Sequence, residues 1–576
     1  MPISDKTDPK LEVKPDVGAG GAAGFFSRPA GWMLCLTLFL ALGILRIVST
    51  YHVFNHTIDE PSHLACGIEW WEKGVYTIET KHTPLARISV AFLPYLAGVR
   101  EVGHPHTWME TYPILSADGH YWRNLTLARM GVLPYFVIVT IVVFFWTKRL
   151  YGAPAGLLAA AILTFLPTML AHSSVATTDV PFTAMFCWAM YAFTLWLKHP
   201  NVKTAVVFGV AAGLSLAAKF STVAFLPVCG AAILVLYWLA GQRNWRPLLR
   251  TTGLSILCAC LVTWAIYRFS YGPLNQFTAI PDRVAAKAFG TSSGVTKLVH
   301  KTTSTVLVPM PEIPDGIRYL REQNRLGEPA YLLGRVKDGG FWYFFIVALA
   351  VKTPLAVLLL AAFGAGIVVA KYWHDRSDWE SPAPLACAAV IMIVTMPSRL
   401  DTGVRYILPV FAFMSMLAAL AVVTLWNRRD HRTMARAVAV ILLGWFALSS
   451  ALSHPDYLAY FNEFGGKDPS RLLVVGDLDW GQDLTRLSTY LRENHINHIS
   501  IAYEGFYDPD SLGLPETVKL KCREVPSGWV AMSARRALRS YQCFPWLPPR
   551  DQRVAIVGKT LWIYYMPEQK PESQAP

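Results

Sequence analysis

Gly31 to Thr50 (GWMLCLTLFLALGILRIVST) is an apolar run of membrane-spanning length. A polar loop follows, opening with Ile58-Asp59-Glu60-Pro61-Ser62-His63 and closing with Lys81-His82-Thr83-Pro84-Leu85-Ala86-Arg87. Two adjacent carboxylates thus stand just past a bilayer-length segment, with histidines and cations downstream. Carboxylates ionise cheaply at a water-facing membrane mouth and at high cost inside the bilayer, so this pair reads as a site. On residues alone a second reading is equally good: a solvated loop start in which Asp59 caps a helix led by Pro61.

Outward from that loop, the chain is built of similar apolar runs. With 53% of 576 residues hydrophobic and 16% charged, the composition excludes a disordered chain and most soluble enzymes, and recurrent runs of about 18–22 apolar residues predict a polytopic α-helical membrane protein. After 31–50, spans are expected at 127–146, 153–170, 180–197, 203–217, 221–240, 252–268, 343–369, 382–397, 406–425 and 436–452. Connectors rich in Lys and Arg (148–149, 198–203, 243–250, 371–376, 428–436) fall on one side, which the positive-inside rule makes cytoplasmic. The net charge of +13 is explained by these loops and implies no nucleic-acid partner.

This topology sets three segments on the outer side. Loop 51–126 is expected to carry two interfacial helices, one around Leu64-Ala65-Ile68-Trp70-Trp71, with the tryptophans as anchors, and one from Leu85 to Val99. Loop 269–341 has polar helical patches around Arg318 to Arg325. Residues 453–576 read as a small α/β extracytoplasmic domain, with strands at 471–475, 499–503 and 554–557 and a helix at 484–493. Cys522 and Cys543, the cysteines of that domain, are a plausible pair in an oxidising compartment. Residues 1–29 carry no cleavable signal and read as a disordered cytoplasmic tail, ahead of a membrane domain over 30–452.

Other polar groups lie where a membrane protein would rather have none. Asp179, with His172 in the same hinge, borders an outer mouth, although Thr/Asp capping of the next helix accounts for Asp179 equally well. Lys219 sits between two apolar spans, where snorkelling is the plain explanation and an anion the sharper one. Arg399 and Arg405 lie in an outer connector, against the charge rule, so an anionic ligand or pairing with Asp401 is needed. His82 and Arg87 flank a helix start, a favourable place for a lipid phosphate. In the last domain Asp477, Asp479, Trp480 and Asp483 fit either a sugar contact or a packed turn.

In this order the pieces resemble a known family. DEPSHLACGIEWWEKG (59–74), KHTPLARISVAFLP (81–94), AHSSVATTDVPFT (171–183) and GLSLAAKFS (213–221) are similar to GT-C glycosyltransferases of the protein O-mannosyltransferase (family 39) and aminoarabinose-transferase type. GEPAYLLGRVKDGGFWYFFIVALAVKTP (327–354), RLDTGVRYILP (399–409), HPDYLAYFNEFGG (454–466) and DLDWGQDLTRLSTYL (477–491) resemble a bacterial branch of it. The resemblance runs from Thr57 to Tyr564 and implies an inner-membrane enzyme that moves a sugar from a polyprenyl-phosphate carrier to a protein, lipid or glycan acceptor on the outer face.

It also implies roles. Asp59 matches the family's base, with Glu60 beside it and Asp179 orienting sugar or acceptor. His82, Arg87, Lys219 and Arg405 would bind the carrier phosphate. Thr83 stands where the family's loop-end motif has its first proline. Some relatives bind a divalent cation at this mouth and others need none; Glu60 and His172 are the candidate ligands. The competing readings are a non-catalytic glycan-binding or assembly subunit of the cell envelope, and a lipid-linked sugar transporter, which would place ionisable groups near mid-span.

Overall fold

The computed structural model describes residues 29–104, 107–243, 245–276 and 280–567. The predicted N-terminal tail falls outside them except for Pro29, which begins the first helix. The protein is a polytopic helical membrane protein with a small sheet domain. Each segment expected to span carries a helix. Among the described residues eight helices are long and apolar enough to cross a bilayer, and the bent pair Ala153–Phe165 and Pro167–Ser173 makes a ninth candidate. Asp179–Lys198 and Val404–Asn427 are largely enclosed by their neighbours, whereas Arg246–Ile266 is exposed along most of its length, as a lipid-facing helix would be.

Two of the expected spans are short helices, Val202–Ala218 and Ala383–Thr395. The first is held by close backbone approach. Gly209 and Gly213 lie on the Ser255 and Ala259 carbonyls of Arg246–Ile266, where a Cβ would collide. Ser255 and Thr263 donate back to the carbonyls of Ala205 and Gly213 (3.0 and 3.3 Å). Small residues four apart with hydroxyl cross-bonds are the usual means of pairing helices in lipid, where no hydrophobic drive separates helix from solvent.

Two expectations need correction. The span at 343–369 is broken into Phe344–Lys352 and Leu355–His374. Pro354 cannot donate a helical hydrogen bond, and it forces Thr353 into extended backbone. The stretch 471–475 is buried over Leu473 to Val475 but is no strand of the sheet; its one bridge joins Val475 to Asp479 as the chain turns back on itself. The two helices expected in the first loop are present, Glu60–Glu72 and Pro84–Leu96, and they pack on one another. Gly67 lets them touch, since a Cβ there would strike the Arg87 carbonyl. Trp70 and Trp71 donate their indole N–H groups to the Ile266 and Ile88 carbonyls, both at 2.9 Å, so they are fastened to protein.

Two antiparallel hairpin-like pairs come from the loop 269–341: β1 (Tyr271–Pro273) with β2 (Leu307–Pro309), and β3 (Ala330–Leu332) with β4 (Arg335–Lys337). The polar patch between them is the helix Glu312–Leu326. The C-terminal domain holds β5 (His498–Ala502), β6 (Glu516–Lys519), β7 (Gly528–Ser533), β8 (Ala555–Val557) and β9 (Leu561–Met566) in the order β6-β5-β7-β9-β8. β6, β5 and β7 run parallel, and β9 and β8 extend the sheet antiparallel. The helix Leu484–Glu493 buries Leu484, Leu487 and Leu491. Cys522 and Cys543 are disulfide-bonded, as their isolation in that domain suggested. The first loop, the loop 269–341 and the C-terminal domain all meet at one end of the bundle: Ile58 donates to the Trp480 carbonyl (3.2 Å) and Leu333 to that of Leu472 (2.9 Å).

Candidate active site

Four charged groups from four chain segments form two linked pairs at that end. Asp59 immediately precedes the helix Glu60–Glu72, whose first turn is set by Pro61. Arg405 rises from a short 3-10 turn, Val404–Ile407, and reaches Asp59 at 2.6 Å. Asp179 heads the helix Asp179–Lys198. Lys219 stands in extended backbone at the break between two helices, so its side chain leaves the wall and meets Asp179 at 2.6 Å. Tyr406 joins the pairs: its ring lies under the Lys219 ammonium (4.6 Å) and beside the Arg405 guanidinium (5.6 Å). Arg405 also lies 4.4 Å from the Trp480 ring, and His172 packs edge-on against the same indole.

Glu60 does something else. Its four hydrogen bonds come from Arg129 Nε and Nη2 (2.9 and 3.0 Å) and from the Ala176 and Thr57 amides (2.8 and 2.7 Å). That fills the acceptor capacity of a carboxylate. The pair is buried, and Arg129 further holds the Tyr51, Phe54 and Asn55 carbonyls. Glu60 therefore pins the loop and is not available to the chemistry. It has no free oxygen to share with a cation, and the ligand pair Glu60 and His172 does not fit a metal ion. Among the described residues no group of three or more His, Cys, Asp or Glu side chains could hold one.

The loop end is organised by a residue the sequence reading passed over, Glu79. It accepts from His82 Nδ1 (2.7 Å) and Arg87 Nη2 (2.7 Å), and Lys81 lies at 3.4 Å. Arg87 is completely buried, its other nitrogens on His63 Nδ1 (3.0 Å) and the Tyr76 hydroxyl (2.7 Å). Its expected contact with a carrier phosphate gives way to a supporting role: it fixes Glu79, and through it His82. The carboxylate three residues before His82 was the available signal. For Glu60 the signal was Arg129, a cation next to an apolar span.

The charges are strongly tuned. Burial works to raise the Asp59 carboxyl, but Arg405, with His63 and His82, outweighs it and holds the group at about 2. Burial lowers His82 to about 4 despite the neighbouring Glu79, and pushes His63 well below its ordinary value. Burial would raise Glu79, yet Arg87 and His82 bring it well down.

Two cavities open here. A polar one of about 320 Å3 is lined by Asp59, Ser62, His63, Glu79, Asp315 and Tyr319. The other, about 330 Å3, is lined mainly by apolar groups (Phe220, Val223, Ile317, Leu320, Leu400) with Lys219 and Tyr406 at its wall. Lys81 and His82 line both, and the helix Glu312–Leu326 contributes to each, so the two spaces meet at the loop end and that helix. Asp59 thus faces the polar space, Lys219 the apolar one, and the Arg405–Tyr406 turn touches both sets.

Residues 125–267 match the family model for dolichyl-phosphate-mannose-protein mannosyltransferase, a stretch that includes Asp179 and Lys219. No curated protein sequence matches the chain. Among solved structures, the Saccharomyces cerevisiae protein O-mannosyltransferase complex bound to its sugar donor superposes with a TM-score of 0.51 at 10% identity, covering 86% of this chain and 95% of that one. The Archaeoglobus fulgidus oligosaccharyltransferase tethered to an acceptor peptide gives 0.51 at 11% identity, over 90% and 71%. ArnT from Cupriavidus metallidurans bound to undecaprenyl phosphate gives 0.47 at 13% identity, over 93% and 98%. The chain thus shares its fold with a protein O-mannosyltransferase and an oligosaccharyltransferase, and carries a mannosyltransferase family segment over residues 125–267.

Proposed function

We propose that this protein transfers a sugar from a polyprenyl-phosphate carrier to an acceptor hydroxyl at the outer mouth of the bundle. The observation that carries this reading is the meeting of the two cavities at Lys81 and His82. An apolar groove with a lysine at its wall suits an isoprenoid chain ending in phosphate, and a polar cavity with a carboxylate suits a sugar and its acceptor. Solved structures of similar fold carry a sugar donor in one case and an acceptor peptide in another, the two classes of ligand this reading needs. The N-terminus would lie in the cytoplasm and the C-terminal domain outside, in the inner membrane.

The chemistry follows from the charges. The acceptor oxygen attacks the anomeric carbon, the bond from that carbon to the phosphate oxygen breaks, and the electron pair leaves with polyprenyl phosphate. Direct attack inverts the anomeric centre. Lys219 and Arg405 stabilise the charge growing on the leaving phosphate, with Asp179 holding Lys219 in place. Asp59 takes the acceptor proton. Paired with Arg405 it is a poor base; a bound phosphate that draws Arg405 toward itself frees Asp59 and raises its basicity, so donor binding primes the base.

The test is transfer from a panel of radiolabelled polyprenyl-phosphate sugars by protein reconstituted in membranes, wild type against Asp59→Asn. Asp59→Asn should lose transfer by a hundredfold or more, the usual reach of general base catalysis being about 10²–10⁴. A well-folded Asp59→Asn that transfers at the wild-type rate overturns the mechanism.

A further inference from the structure

Away from this mouth, β3 and β4 fold back on the C-terminal domain. Between them, Arg471 and the helix Ala534–Arg539 is an open cavity of about 820 Å3, more than twice the volume of either cavity at the mouth. It shares no lining residue with those two. Arg335 from the hairpin and Arg471 and Arg550 from the domain converge on it, together with Tyr331 and Tyr541.

The charges there do not balance. Asp468 is the carboxylate at hand, 2.9 Å from Arg550 and 3.5 Å from Arg471. Arg335 is exposed and has no ion pair among the described residues. Two of the three guanidinium groups around the hollow thus pair with Asp468, and the third has no carboxylate partner among the described residues. Tyr331 is 4% exposed and lines the wall, its hydroxyl buried beside the Arg550 guanidinium. Tyr541 is exposed at the rim and offers a flat apolar face.

Guanidinium groups recognise carboxylate and phosphate in paired hydrogen bonds. The volume suits several sugar rings better than a lone ion. The geometry points to a second saccharide site that binds an acidic glycan, with Arg335, Arg471 and Arg550 on its anionic groups and Tyr541 against a ring. That this glycan is the acceptor rests on the transferase reading above; its binding does not.

Calorimetry on the full chain in phosphatidylcholine nanodiscs tests this with tri-galacturonate, maltotriose and inorganic phosphate as probes. Tri-galacturonate should bind at least tenfold more tightly than either of the others. The double variant Arg335→Gln/Arg471→Gln, altered only at exposed side chains, should keep its unfolding temperature and lose at least tenfold in that affinity. Asp59→Asn should bind as wild type does. Equal binding of maltotriose removes charge recognition, equal binding of phosphate reduces the site to a bare anion patch, and an unaffected double variant places binding elsewhere; each overturns the inference. Loss of tri-galacturonate binding on adding phosphatidylglycerol to the disc would assign the arginines to lipid headgroups and overturn it too. If Asp59→Asn still transfers sugar while binding holds, the transferase mechanism fails and this site stands.

Discussion

The Arg405 guanidinium lies 4.4 Å from the centre of the Trp480 ring while one of its nitrogens holds Asp59 at 2.6 Å. Trp480 belongs to the C-terminal domain and is almost fully buried. The segment carrying it is anchored at Asp477, where Lys352 donates to the carbonyl (2.7 Å) and Val404 donates to Oδ1 (2.9 Å). The domain is therefore part of the mouth, and Trp480 is a positioning residue for Arg405. Trp480→Ala should lower kcat about tenfold, the size of a desolvated cation–π contact of about 1–2 kcal/mol. Trp480→Phe should recover much of it. Steady-state kinetics check this, and a change in KM alone with kcat intact would count against it.

Asp59 and Glu60 are neighbours with opposite expected phenotypes. Glu60→Gln leaves Arg129 buried without its counter-charge, which costs about 3–5 kcal/mol where a buried pair is broken. Its unfolding temperature in detergent should fall sharply. Asp59→Asn, whose side chain is 33% exposed and whose partner Arg405 is less enclosed than Arg129, should lose less stability than Glu60→Gln and lose activity instead. Thermal unfolding with a parallel transfer assay separates the two.

Lys219 faces the apolar cavity. Lys219→Met should raise KM for the polyprenyl-phosphate donor at least tenfold, with Lys219→Arg in between. Binding of unlabelled undecaprenyl phosphate, followed by native mass spectrometry, should show the same order. Unchanged affinity in Lys219→Met would move the phosphate elsewhere.

In acid the loop end should loosen in two steps. His82 is lowered from 6.5 to about 4, so between those values the unfolded chain binds more protons than the folded one and stability rises with pH, complete above 6.5. Asp59, lowered from 3.8 to about 2, acts in the same direction at lower pH: its contribution is present above 3.8 and lost as pH falls through 2. Hydrogen exchange of residues 77–83 should accelerate as pH drops from 6.5 to 4, corrected for intrinsic rates, and His82→Gln should flatten that dependence.

Asp401 has the opposite sign. Burial raises it from 3.8 to about 6, against the Phe341 amide it accepts (2.6 Å), so its contribution is complete below 3.8 and lost as pH rises through 6. Asp401→Asn keeps an acceptor for that amide and should stabilise the protein more at pH 8 than at pH 5, measured by unfolding temperature.

Much of the molecule is legible in one dimension because lipid imposes a simple rule. A segment that crosses must be apolar and helical, so run length and composition place the spans. The break at Thr353-Pro354 is written in the sequence as well, since a proline disfavours helix at the residue before it even inside an apolar run. The sheet was less so. Strand order in β6-β5-β7-β9-β8 depends on pairings as far apart in the chain as Gly528 and Met566, and the buried run at 471–475 resembles a strand in composition while serving as the base of a turn.

The Asp59-Glu60 pair shows where sequence reading stops. Sequence by itself determined that carboxylates, histidines and cations border an apolar bundle, since their cost in lipid keeps them at its edge. Only the tertiary structure decided their roles. Two adjacent side chains on a helix start point apart, and what each meets comes from remote segments: Arg129 for Glu60, 69 residues away, and Arg405 for Asp59, 346 away. One charge is spent inside the fold and the other is left at a cavity, because packing, not position in the chain, determines which carboxylate reaches water.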